Sequence, residues 1–205
     1  MRRLTVIWIF AIVSCCPRLA MQPPVPEMST LVPEMGTPIE PEPKYNRKDW
    51  GRWIDADKDC QDTRQEVLIA ESIEPVTLDE KGCKVITGKW LCSFTGDLIT
   101  DPRKLDIDHM VPLKEAHLSG GHIWEKAYKK AYANDLDDPQ HLIAVSLSAN
   151  RSKGSREPSD WLPPWEAYRC EYLRDWVTVK KAWELEIDYA EALSLVDLMA
   201  KYCRR

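Results

Sequence analysis

Asp108 and His109 stand side by side in Leu105-Asp106-Ile107-Asp108-His109, and a second polar block, Asn150-Arg151-Ser152-Lys153-Gly154, follows further along the chain. Together they offer a carboxylate, an imidazole, an amide oxygen and two cations. Phosphodiester hydrolysis asks for that set. A base must take a proton from water, and neutral histidine, with an ordinary pKa near ~6.5, suits that task. A hard cation must neutralise a non-bridging oxygen and the leaving 3′ oxygen; carboxylate and amide oxygens, completed by water, are the ligands Mg²⁺ prefers. Lys153 or Arg151 would hold the phosphate while charge develops. Each part alone is a weak signal: an Asp-His pair is more often a plain hydrogen-bonding pair, and an asparagine often caps a helix.

Two strands and a helix must bring these groups together. Leu105 to His109 alternates apolar and acidic, so a strand sends Leu105 and Ile107 to a core and Asp106 and Asp108 to the other face. Pro112 stops its continuation. Residues 113 to 133 read as helical pieces around Ser119-Gly120-Gly121. The apolar run Leu142-Ile143-Ala144-Val145 reads as a second, buried strand, and Ser148 is placed to cap a short helix carrying Asn150, Arg151 and Lys153. Upstream, Lys84 to Thr100 holds two β-prone runs around Ser93-Phe94-Thr95-Gly96, a hairpin pattern.

The ends read differently. Arg2 and Arg3 precede the apolar run Leu4 to Val13, broken only by Thr5, which is too short for a stable membrane span and has the form of a secretory signal over 1–21. Ile12-Val13-Ser14-Cys15 also resembles a bacterial lipobox, so attachment through a lipidated Cys15 is a second expectation. Residues 22–44 repeat proline with scattered glutamate and few large apolar side chains, a composition expected to stay extended and disordered. The folded domain should occupy 45–205, with its core at about 97–156. At 205 residues and a formal charge of −5, the chain is not a broadly basic DNA reader. Arg151 to Arg156 is the local basic strip.

Five cysteines follow the leader, none in a CxxC arrangement, so disulfides are favoured over a zinc site. Pro164 to Trp183 carries Trp165, Tyr168, Tyr172, Trp176, Val179 and Trp183 as a helical stripe, and a second helix should run from Asp188 to Cys203. In an antiparallel helical hairpin turning near Glu186, Cys170 and Cys203 face each other. Cys60 and Cys83 would pair by remainder, leaving Cys92 free.

Asp108-His109-Met110-Val111-Pro112-Leu113 with Asn150-Arg151-Ser152-Lys153-Gly154 resembles the ββα-metal core of HNH nucleases. The likeness extends to the exported branch similar to the C-terminal domain of GmrSD restriction endonucleases. It is carried by Tyr45 to Glu66, Gly82-Cys83, Gly88-Lys89-Trp90, Trp161-Leu162-Pro163-Pro164 and the Cys170 helix, and covers roughly 45–203. The resemblance implies an α+β fold of the HNH, or His-Me finger, type, with an N-terminal helix-hairpin region and a C-terminal antiparallel helical hairpin. It implies His109 as general base, Asp108 and Asn150 as ligands of Mg²⁺ or another divalent ion such as Mn²⁺, and no organic cofactor. His141 stands where the middle motif residue is commonly asparagine, and would buttress the loop presenting His109.

Other groups carry blander readings. His117 and His122 read as exposed loop residues, and tryptophans 161, 165, 176 and 183 as core. Arg64, near a helix start, is either a phosphate contact or a structural ion pair. Asp55, Asp57, Asp59 and Glu66 match positions 1, 3, 5 and 12 of an EF-hand loop, but Cys60 stands where that loop needs glycine. The reading is therefore a secreted, monomeric endonuclease of low sequence preference, acting on DNA ahead of RNA. Its rivals are a non-catalytic exported binding module on a degenerate nuclease fold, and a nuclease toxin or effector.

Overall fold

β5 (Leu105–His109) and β6 (Leu142–Ser146) pair antiparallel along their whole length in the computed structural model, which describes residues 43–203. The stretch expected to be a signal, Cys15 and most of the proline-rich stretch lie outside the described residues. Asp108 sits opposite Ile143 and His109 opposite Leu142. β6 is buried almost throughout because both faces of this two-stranded sheet are covered. Leu105, Ile107, Leu142 and Ala144 pack against Val67 and Leu68 of α1 (Thr63–Glu71) and against Trp90. Ile143 and Val145 join a larger aromatic core with Phe94, Trp161, Tyr172 and Trp176. The sheet thus divides two cores, which is why its second strand reads as an unbroken apolar run rather than an alternation.

The molecule is mixed α and β, with six α-helices and three two-stranded antiparallel sheets among the described residues. β1 (Thr77–Leu78) pairs with β2 (Val85–Thr87), and β3 (Trp90–Leu91) with β4 (Leu98–Ile99). The single hairpin expected over Lys84 to Thr100 is therefore split. Its second half closes over the Ser93–Gly96 turn as read, while its first run turns back to β1. The break falls at Gly88, where a Cβ would lie 2.4 Å from the Trp90 ring. Between β5 and β6 lie α2 (Leu113–Leu118) and α3 (Lys126–Ala133). α4 (Leu147–Lys153) follows β6 without a linker, so its cap is Ser146, whose hydroxyl accepts from the Ala149 amide at 3.3 Å, rather than Ser148. Gly154, at φ 59°, ends it.

α5 (Arg169–Ala182) and α6 (Tyr189–Tyr202) form the helical hairpin, closed by Cys170–Cys203. Cys60–Cys83 ties the acidic loop to the β1–β2 turn, and Cys92 is free and buried. α5 starts later than the stripe suggested: Tyr168, Tyr172, Trp176 and Val179 are buried, but Trp165 precedes the helix and is exposed, contrary to its reading as core. His117 is also corrected. It lies buried on α2, with its Nε2 3.2 Å from the Pro43 carbonyl and its ring edge-on to Tyr45. His122 is exposed as read. Cys60, at φ 77°, adopts the left-handed conformation for which glycine seemed necessary. The loop folds on its own carboxylates, Asp55 accepting from the Lys58 and Cys60 amides. No described helix is long and apolar enough to cross a membrane.

One buried cation locks the hairpin to the β5–β6 excursion. Lys180 on α5 donates to Glu115 of α2 at 2.9 Å, to Glu191 of α6 at 2.5 Å, and to the Ser119 hydroxyl and Glu186 carbonyl. Removing it strands two carboxylates without their counter-ion. Lys180→Ala should lower unfolding free energy by about 3–5 kcal/mol in urea titrations, well beyond an exposed lysine substitution.

Candidate active site

The end of β5 and the body of α4 meet at a cavity of about 450 Å³, lined by Asp108, His109, Asn150, Trp53, Tyr45 and Arg47 among others. Three of the residues singled out in the sequence thus share one space. Asp108 reaches it from the last turn of strand, Asn150 from the helix that begins where β6 ends.

His109 is held on three sides. Its ring stacks on Trp53 at 5.4 Å between centroids and lies parallel to Tyr132 at 6.1 Å. Nε2 is 3.1 Å from the Ala133 carbonyl. A carbonyl can only accept, so the proton of the neutral ring sits on Nε2 and the lone pair on Nδ1. Burial, with His141 and nearby cations adding to it, pushes the imidazole well below its ordinary pKa and keeps that lone pair free.

His141 stands behind this arrangement, fully buried. Its Nε2 is 2.7 Å from the Tyr132 carbonyl, its backbone carbonyl accepts from the Met110 amide, and its ring packs edge-on to His109 and Tyr132. It therefore steadies the Tyr132–Ala133 backbone whose Ala133 carbonyl meets His109.

Lys153 occupies a different place from the one expected. Expected to grip phosphate, it is fully buried, its ammonium donating to Asp108 Oδ2 at 2.5 Å and to the His109 and Met110 carbonyls at 2.7 and 2.9 Å. It lies one turn beyond Asn150 on α4, on the inward side, and is not among the residues lining the cavity. Burial raises the Asp108 carboxyl to about 6, with Lys153 pulling it back. Arg64 is corrected likewise: its guanidinium donates to the Pro102 and Leu105 carbonyls, bracing the start of β5 away from the cavity. Arg151 is exposed on α4 and is not among the residues lining the cavity.

Asp106 has a part that spacing alone did not reveal. Asn150 Nδ2 donates to its Oδ2 at 3.2 Å, which turns the amide so that Oδ1 is the atom left over. Asp108 likewise keeps one oxygen apart from Lys153. The two residues, one with an anionic and one with a neutral oxygen not bonded within the chain, both line a cavity with room for water. That set fits a hard divalent cation, which commonly takes one or two protein oxygens and fills its remaining positions with water and phosphate. Acid clusters elsewhere are of another kind. Asp55, Asp57 and Asp59 are exposed, and the group of Glu115, Glu157 and Glu191 already has the Lys180 ammonium bonded to two of its members.

Trp53, Tyr45 and Arg47 line the same cavity, although sequence alone assigned them no role. The readable signal was there, in basic residues interleaved with aromatic ones at 45–53.

Comparison with known proteins is consistent in direction. The family described as "GmrSD restriction endonucleases, C-terminal domain" matches residues 60–198. An "Uncharacterized secreted protein" of Arthroderma benhamiae is 35% identical over 162 residues, covering 79% of this chain and 78% of that protein. No solved structure matches.

Two outcomes follow from the geometry. Long-range ¹⁵N–¹H NMR should find His109 as the Nε2–H tautomer, still neutral below pH 6.5. Since its unfolded-state pKa is the higher one, the stability it contributes is present above about 6.5 and declines as pH falls. Lys153→Ala should cost about 3–5 kcal/mol in urea unfolding, because it leaves Asp108 and two carbonyls buried without a donor; a phosphate contact would leave folding stability unchanged.

Proposed function

As this chain belongs to the family of the C-terminal domain of GmrSD restriction endonucleases, we propose that it is an endonuclease that hydrolyses phosphodiester bonds, with His109 as general base. The observation carrying this is the His109 tautomer: Nε2–H is committed to the Ala133 carbonyl, so Nδ1 is the basic atom beside Asp108 and Asn150. The antiparallel pair β5–β6 followed by α4 supports reading this unit as a ββα-metal core.

HNH-type nucleases generally use a divalent metal, and Asp108 and Asn150 are the residues that would hold it here, with Mg²⁺ or Mn²⁺ as the fitting ions. When bound, the cation supplies positive charge to a non-bridging phosphate oxygen and the departing 3′ oxygen. The chain's own groups do the rest. Nδ1 of His109 accepts a proton from the attacking water. Trp53 and Tyr132 keep the ring from swinging away, and the Ala133 carbonyl steadies the imidazolium that forms. Lys153 holds the Asp108 carboxylate ionised and in place, and Asp106 holds the Asn150 amide.

Two disulfides and a relative described as a secreted protein support an extracellular place of work. DNA is the first substrate to test, and sequence preference would be weak, since no separate sequence-reading element accompanies the core among the described residues. The same site would serve a nuclease toxin, whereas a degenerate binding module is disfavoured by the orderly support of His109.

Plasmid nicking by the purified, oxidised protein should require a divalent cation, stop in EDTA, and fall by roughly 10²–10⁴ in His109→Ala. Full nicking by that variant would sink the assignment of the base. Absence of nicking by the folded wild type with Mg²⁺ or Mn²⁺ would favour the binding module.

A further inference from the structure

The formal charge of −5 hides a local reversal. Beside the His109 cavity lies a second depression of about 720 Å³, lined by Arg47, Lys48, Gly51, Arg52, Trp53 and Asp62. Arg47 and Trp53 belong to both, so the two spaces adjoin.

One segment, 45–53, builds this wall. Its anchor is Trp50, fully buried against Trp124 and Tyr132. With that indole turned inward on a 3-10 turn over Arg47–Trp50, the flanking Arg47, Lys48 and Arg52 are left exposed on the outside. Gly51, at φ 76°, lets the backbone lie against Lys130 of α3, where a Cβ would come within 3.3 Å of its Cγ. Arg47 donates to the Gly51 carbonyl at 2.9 Å and so is aimed rather than free.

Acidic groups in the neighbourhood are spoken for. Asp49 faces Lys126 at 3.7 Å, and Asp62 caps α1 by accepting from the Gln65 amide. Meanwhile the strip read from the sequence, Arg151 to Arg156, has lost Lys153 to the interior. Exposed cations lining the His109 cavity are Arg47, from this segment, and Lys114 of α2; the adjoining depression adds Lys48 and Arg52.

We propose that this groove is the track for the phosphodiester backbone of a nucleic-acid strand leaving the cleavage cavity, with Arg47, Lys48 and Arg52 on successive phosphates and Trp53 available to a base. The inference rests on the nuclease reading and adds where the substrate lies. Guanidinium groups match phosphate geometry, and Trp53, half-buried and stacked on His109, lines both spaces among these cations, where an aromatic ring serves an unpaired base. Binding would be largely insensitive to sequence and strongly dependent on salt.

The test uses the full chain in EDTA, so that nothing is cut, with a fluorescein-labelled mixed-sequence DNA oligonucleotide and its RNA counterpart, read by anisotropy across a salt series. Lys48→Glu/Arg52→Glu should weaken binding about tenfold or more and lower the log–log salt slope by roughly 1.5, two phosphate contacts' worth on a single strand. The control Lys181→Glu/Lys201→Glu, equal in charge and exposed on the helical hairpin, should bind like wild type. Lys48→Gln/Arg52→Gln should show the same loss at smaller size, which covers a misfolded reversal. Equal binding by wild type and both groove variants overturns the groove and leaves the nuclease reading standing; equal loss in groove and control variants overturns it too, assigning affinity to overall charge. A wild type that neither binds in EDTA nor nicks with metal removes the nuclease reading and the groove together.

Discussion

A single buried ammonium holds the centre of this molecule together. Lys153 leaves the end of α4, enters the core and meets the Asp108 carboxylate and the His109 and Met110 carbonyls at the end of β5. Burying a lysine is expensive, and only full hydrogen bonding to an opposite charge offsets the cost. Those three bonds fasten helix to strand in one register. Asn150, one turn earlier on the same helix, is thereby carried to the cavity that Asp108 and His109 line. Replacing this contact with water would leave each chemical group intact and their arrangement undefined.

Around that fastening, the fold is a series of devices for holding backbone carbonyls still. His141 and Tyr132 position the Ala133 carbonyl, which selects the His109 tautomer. Tyr132 itself is tied by its hydroxyl to the Val111 carbonyl at 2.6 Å. Lys180 does comparable work for the excursion between the strands, joining α2, α5 and α6. The aromatic richness of the chain finds its physical use here. Large rings fill the core on one side of a very small sheet and supply flat walls for an imidazole that must not rotate.

Electrostatics divides along the same lines. The net charge is acidic, but several acids near the site have internal duties, capping helices, closing the Asp55–Asp59 loop and balancing two buried lysines. Cations without such duties line the surface beside the cavity. Whole-chain charge is therefore a poor guide to what this protein can approach, and the local field near His109 is a better one.

Periodicity and breakers were enough to read the strand Leu105–His109, the buried run at 142–145 and the helical hairpin with its Asp188 cap, because each reflects local geometry. Cys170 and Cys203 were legible for the same reason, lying at matched distances from one turn. Asp108, His109 and Asn150 could be picked out as candidates because a base and hard-oxygen donors have few substitutes in phosphodiester chemistry, and the structure places all three on one cavity. Burial was not legible. Lys153, His117 and Arg64 carry polar heads that sequence reasoning sends outward, and only the carbonyls arriving from distant segments make their inward or structural positions favourable. Nor does spacing tell that Trp53 would cover His109, since the two are brought together by packing of a segment far away in the chain. Local sequence was enough for the elements, which depend on neighbours a few residues away, and for marking candidate groups; only the tertiary structure decided which charges stay exposed and which hold the frame, because desolvation is a property of the assembled core.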